Sequence, residues 1–233
     1  MASPITLYQF AASPFCDKIR RVLRYKRLPF TIHEWPIAEA GTISEKNPAG
    51  KLPILEIDGT LIPDSTTIAF ELERRYPTPA LLPAEPAQRA QVLVLEDWAD
   101  ESLYFYEMNT RFAGDDFDKN VGKLLPGVPE EMHAAIAPML REVLKTTTTA
   151  QGIGRKSPAQ IAGDVDRLLG AIEDLQRATG FVVGTNLTLA DIAICCQAEC
   201  IGDSTAGTRV LDARPALVKY FARVDRLTAA DRA

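Results

Sequence analysis

The run Lys51-Leu52-Pro53-Ile54-Leu55-Glu56-Ile57-Asp58-Gly59-Thr60-Leu61-Ile62-Pro63-Asp64-Ser65 leaves this chain few choices of fold. Ile54, Leu55 and Ile57 are apolar or β-branched and suit a buried strand, and Asp58-Gly59 supplies the positive φ of a tight hairpin turn. Leu61-Ile62 then return antiparallel, and Asp64-Ser65 open a helix whose apolar positions Ile68, Leu72 and Tyr76 end before Pro77. A carboxylate, a hydroxyl and unpaired backbone N–H groups meet at such a helix start. That combination suits the charged amino and carboxylate ends of a small peptide.

The N-terminus extends the pattern. Ile5 to Phe10 reads as a short strand, and Ser13-Pro14-Phe15-Cys16 leads into a helix with Ile19, Val22 and Leu23 on its apolar face. Pro14 stands at the first helical position, where a missing N–H costs nothing. Residues 1–76 therefore read βαβ, a short helix near Ala38–Lys46, then ββα, an α/β unit with a mixed sheet. Residues 77–86 hold four prolines, which cannot continue a helix or a central strand, so they form a stiff linker. From 87 to 233 the pattern is all-α: Val92, Leu95, Ala99, Leu103 and Tyr106 recur at helical spacing, with further runs near 130–149, 157–178, 188–202 and 213–229. Within this domain Thr188 is placed as an N-cap, Asp191 to return a bond to it, and Leu187 with Ile192 to close a hydrophobic staple.

Composition excludes several classes. A formal charge of −5 with acids and bases interspersed provides no basic face for nucleic acid or anionic lipid. No charged leader precedes the first strand and no apolar run is long enough to span a membrane, so a cytoplasmic protein is expected. Of the four cysteines, three crowd into the apolar run Ile192–Ile201, where they read as reduced core residues rather than a disulfide framework. With only His33 and His133 available, no metal site is expected.

Leu52-Pro53 followed by Asp64-Ser65 resembles the glutathione-binding half of the glutathione transferase family. The Ser13-Pro14-Phe15-Cys16 turn matches the place where glutaredoxins and cysteine-type transferases carry their cysteine motif. The Thr188–Asp191 box, preceded by Phe181-Val182-Val183-Gly184, is similar to the start of that family's central C-terminal helix. The resemblance implies a thioredoxin-like N-terminal domain and an all-helical C-terminal domain. It further implies that a cis-Pro53 lets the Leu52 backbone pair with the cysteinyl part of glutathione. Asp64 and Ser65 would grip its γ-glutamyl end, with Phe15 and Lys51 assisting, and no metal would be involved. Ser13 matches the serine that favours the glutathione thiolate, while Cys16, nearer the second cysteine of the motif, reads as packing or as a redox site. Phe105, Met108 and Phe112 share a helical face and would line the pocket for an apolar electrophile or simply pack the helix.

Three functions stay open at this stage. The first is conjugation of glutathione to an electrophile, a detoxifying reaction. The second is thiol–disulfide reduction through Cys16, and the third is a non-catalytic scaffold. The family resemblance also implies a homodimer. The stretch 113–156 departs from the common pattern and resembles bacterial transferase-like proteins related to metaxin-type scaffolds. It reads either as a surface excursion or as a lid over the second substrate.

Overall fold

A computed structural model describes residues 4–229. Strands β1 (Ile5–Gln9), β2 (Thr31–Glu34), β3 (Ile54–Ile57) and β4 (Thr60–Pro63) form one sheet in the order β2-β1-β3-β4. β1 runs parallel to β2 and antiparallel to β3, and β3 pairs antiparallel with β4. The parallel pair needs a crossover, and α1 (Pro14–Tyr25) supplies it. The hairpin turn forms as its residues require, with φ of 53° at Asp58 and 71° at Gly59. Helix α2 (Ser65–Arg75) follows at once, capped by Asp64, whose carboxylate accepts from Thr67 N–H at 2.8 Å.

Alternation along β1 sends Ile5 and Leu7 into the core with Leu55 and Ile57, against Ile19, Val22 and Leu23 of α1 and Ile68 and Leu72 of α2. Each such side chain removed from water contributes about 1.5–3 kcal/mol before entropy is counted. On the sheet's other face Trp35, Ile43 and Ile54 make a smaller cluster. There the expected short helix is a 3-10 helix, Ile37–Glu45. Its hydrophobic positions lack a 3.6-residue period, and Gly41 weakens an α-helix at its centre.

The helical domain begins at Pro86, one residue earlier than the spacing suggests, with Glu85 as its cap. α3 (Pro86–Trp98), α4 (Tyr104–Met108) and two π-helical turns, Ala99–Leu103 and Asn109–Ala113, form one continuous helix. The turns show in the backbone: Tyr104 N–H donates to Ala99 C=O and Gly114 N–H to Asn109 C=O, each five residues back. Between 113 and 156 the chain forms the short α5 (Phe117–Asn120) and the long α6 (Glu130–Gln151). α6 ends at Gly152, whose φ of 111° suits glycine. α7 (Pro158–Arg177), α8 (Leu189–Gly202), α9 (Thr205–Asp212) and α10 (Pro215–Thr228) complete the domain, α9 being unforeseen in the sequence pattern.

α8 is buried nearly all round, as its uniform hydrophobicity demands, and Cys195 and Cys196 are enclosed as free thiols. At its start Asp191 accepts from Thr188 N–H and Oγ1–H, from Val182 N–H and from Tyr220 Oη–H. Four donors thus satisfy one buried carboxylate and tie the turn before α8 to α10. Among the described residues no helix is long and apolar enough to cross a membrane.

Candidate functional site

A cleft of about 760 Å³ lies between the sheet domain and the long helix. Three local structures build its sheet-domain wall. Ser13 caps α1, its Oγ accepting from Cys16 N–H at 3.4 Å, and its side chain lines the cleft beside Phe15. Leu52 and Pro53, joined by a cis peptide, enter from the edge of β3 with Lys51. Asp64 and Ser65 stand at the start of α2, Asp64 with a φ of 73° and Ser65 buried.

The helical domain supplies the opposite wall. Phe105, Met108 and Phe112 all line the cleft, together with Tyr104, whose ring packs edge-on against Phe15 at 4.8 Å between centroids. Burial, reinforced by Glu107 and Glu101, drives the Tyr104 phenol well above its ordinary range, so it stays protonated as a donor. Leu124 and Leu144 also line the cleft. The 113–156 stretch therefore contributes wall to this site and is more than a surface excursion.

Beneath Ser65 lies a buried charge network absent from the sequence reading. Lys18 of α1 reaches Glu96 Oε1 at 2.6 Å and the Asp100 carboxylate, linking the two domains. Thr66 Oγ1–H donates to Glu96 at 2.7 Å, and Ser65 Oγ lies 3.5 Å from Asp100. Burial drives Asp100 up, against the pull of Lys18 and with the help of Glu96, to about 6. One sequence signal pointed here: Lys18 precedes Val22 by one helical turn, on the stripe that must be buried.

Cys16 is placed differently from the cleft residues. It is fully buried, accepts from Phe10 N–H at 3.4 Å, and does not line the cleft. Burial pushes its thiol up to about 11 despite the helix start, so little thiolate forms at neutral pH. Tyr8 lies away from the site, donating to Glu56 at 2.7 Å. His33 lies beside it on the sheet surface with its ring tilted by 55°, and His133 pairs with Val128 C=O. Among the described residues no cluster of side chains suits a metal ion.

Residues 7–80 match the family described as glutathione S-transferase, N-terminal domain, and residues 129–227 match glutathione S-transferase, C-terminal domain. The chain belongs to the glutathione transferase family. Membership agrees with the α/β sheet domain followed by helices, and with the resemblance carried by Leu52-Pro53 and Asp64-Ser65. Among curated relatives, an isoprene-epoxide glutathione S-transferase of Rhodococcus sp. is 24% identical over 220 residues, covering 91% of each chain. A glutathione S-transferase of Pseudomonas putida is 25% identical over 193 residues, 82% of this chain and 72% of that one. Among solved structures, a glutathione S-transferase from Rhodospirillum rubrum superposes with a TM-score of 0.66 at 24% identity, covering 95% of this chain and 87% of that chain. FzlA from C. crescentus superposes with a TM-score of 0.60 at 22% identity, covering 94% of this chain and 92% of that one. At these identities the structures speak for the fold.

Proposed function

We propose that this protein conjugates the thiolate of glutathione to an apolar electrophilic small molecule, with Ser13 stabilising the thiolate. The observation that carries this reading is the cleft itself. Leu52, Asp64 and Ser65, the residues proposed to grip the peptide, share the cleft with Phe105, Met108 and Phe112, and Ser13 lines the same cleft. Family membership implies glutathione as co-substrate, and no metal enters the reaction.

The chemistry follows from the start of α1. A free thiol titrates at about 8.5 and is largely protonated at neutral pH. Ser13 Oγ already accepts from Cys16 N–H, so its own proton is left to donate to a sulfur anion. The positive end of α1 adds to that field. The thiol proton passes to solvent, the sulfur forms a bond to the electrophilic carbon as that carbon's bond to its leaving group breaks with its electron pair, chloride in the case of an aryl chloride, and the aromatic wall keeps water from the reacting pair. The buried, high-pKa Cys16 weighs against the reductase reading. Exposed Phe70 on α2 and Leu93 and Val94 on α3 support a homodimer pairing the sheet domain of one copy with the helical domain of the other. A mass measured in solution tests that pairing. A cytoplasmic location is part of the same reading.

A calorimetric titration with reduced glutathione tests the proposal, run beside Ser65→Ala. Saturable binding that the variant weakens supports it, as does conjugation of an activated aryl chloride that Ser13→Ala slows. Absence of binding by the wild type overturns it and favours a scaffold.

A further inference from the structure

A second cavity, of about 750 Å³, is lined by residues of the helical domain alone. Its walls are the N-terminal turns of α7, the length of α9 and the π-helical end of the long helix. Ile161, Ala162, Ala206 and Val210 give it an apolar surface. None of its residues lines the glutathione cleft, although the long helix is a wall of both.

The side chain of Asn109 singles this cavity out. It is only 7% exposed, it lines the cavity, and its amide makes no hydrogen bond with any other described residue. No other described side chain or backbone group competes for that amide, and neither its oxygen nor its nitrogen is sealed from solvent, so both stand open to a ligand. Its neighbour Thr110 is satisfied within the helix, through Tyr106 and Glu107 carbonyls. Charge does not choose the ligand. Asp116 is engaged by Thr205 N–H and Oγ1–H, and Asp166 by Arg214. Asp115 and Arg209 are exposed, of opposite sign, and without a charged partner among the described residues. What remains to be matched is one neutral donor and one neutral acceptor, side by side, over an apolar floor.

We propose that this cavity is a second ligand site, for a flat uncharged molecule whose lactam-type edge, a C=O beside an N–H, pairs with the Asn109 amide. Its volume falls in the range of small-molecule sites, which combine an apolar lining with a few placed polar groups. Gly163 at the rim allows a clean block, because a Cβ there meets no atom within 4 Å. A tryptophan in its place would project into open space while α7 gains helix propensity.

The test uses the full chain, labelled with nitrogen-15 and titrated with 2-quinolone and, separately, with its N-methyl derivative. Saturable shifts are expected at Gly163, Ala206 and the Asn109 side-chain amide, with the N-methyl compound about tenfold weaker for want of one hydrogen bond. Asn109→Leu and Gly163→Trp should each abolish them. Asn109→Leu should also melt no lower than the wild type, since its amide has no protein partner to lose. Three outcomes overturn the proposal: shifts only around the Ser13 cleft or none at all, equal affinity for the N-methyl compound, or a lowered melting temperature in Asn109→Leu, which would make that amide structural.

Discussion

The phenol of Tyr220 donates to the Asp191 carboxylate at 2.7 Å, so α10 is held to the first turn of α8 through a side chain that also caps that turn. Asp191→Ala strands all of the donors gathered there, and a loss of about 3–5 kcal/mol in chemical denaturation is expected. Tyr220→Phe removes one donor only and should cost about 1–2 kcal/mol.

Ser13→Ala should leave glutathione affinity close to the wild type while lowering kcat for conjugation by roughly 10²-fold, the size of losing one donor to a developing anion. The ultraviolet absorbance of bound thiolate, followed against pH, should shift to higher pH in the variant. Equal kcat in both proteins would remove Ser13 from the reaction.

Asp100 makes stability depend on pH. Its folded-state value near 6 lies above the unfolded value of about 3.9, so the folded protein holds the proton more tightly. The stability this confers is present below about 4 and is lost as pH rises through 6. Thermal melts between pH 4.5 and 7.5 should show that decline, and Asp100→Asn should flatten it.

Leu144 brings α6 to the cleft wall. Leu144→Trp should raise KM for a bulky electrophile about tenfold and leave KM for glutathione unchanged; Leu144→Ala should relax discrimination between large and small electrophiles. A change confined to glutathione binding would contradict the assignment of α6 to the second-substrate side.

Cys16→Ala should conserve conjugation and cost about 1–2 kcal/mol of stability, because the thiol is buried packing that also accepts from Phe10 N–H. Loss of turnover with glutathione binding intact would revive a chemical role for the sulfur.

What was legible in the sequence was what is local. The hairpin at Asp58-Gly59, the cap at Asp64 and the box at Thr188–Asp191 each depend on residues within a few positions of one another, and each forms as the side chains demand. Phe105, Met108 and Phe112 could be grouped because helical spacing survives over two turns. Lys18's place on the buried stripe of α1 was visible, but its partners were not, since it meets Glu96 and Asp100 only after the two domains have packed. Likewise the groove at Asn109 is made by α7 and α9 arriving from far along the chain, and α9 itself is too short and too mixed in polarity to announce itself.

The two π-helical turns have a consequence for how such a helix can change. Each wider turn holds a surplus residue, and in an ordinary helix one residue is about 100° of rotation. Removing the surplus residue of the Ala99–Leu103 turn would return it to ordinary helix with the faces beyond it kept, whereas removing one residue from the regular turns of α3 would rotate everything beyond by that amount, carrying Met108 and Phe112 away from the cleft and re-aiming Asn109 along with them. Point substitution can alter what each face of this helix presents, but only insertion or deletion can exchange the faces. The long helix thus behaves as an indexed shaft, a wall of two chambers, with its setting written in residue count rather than residue type.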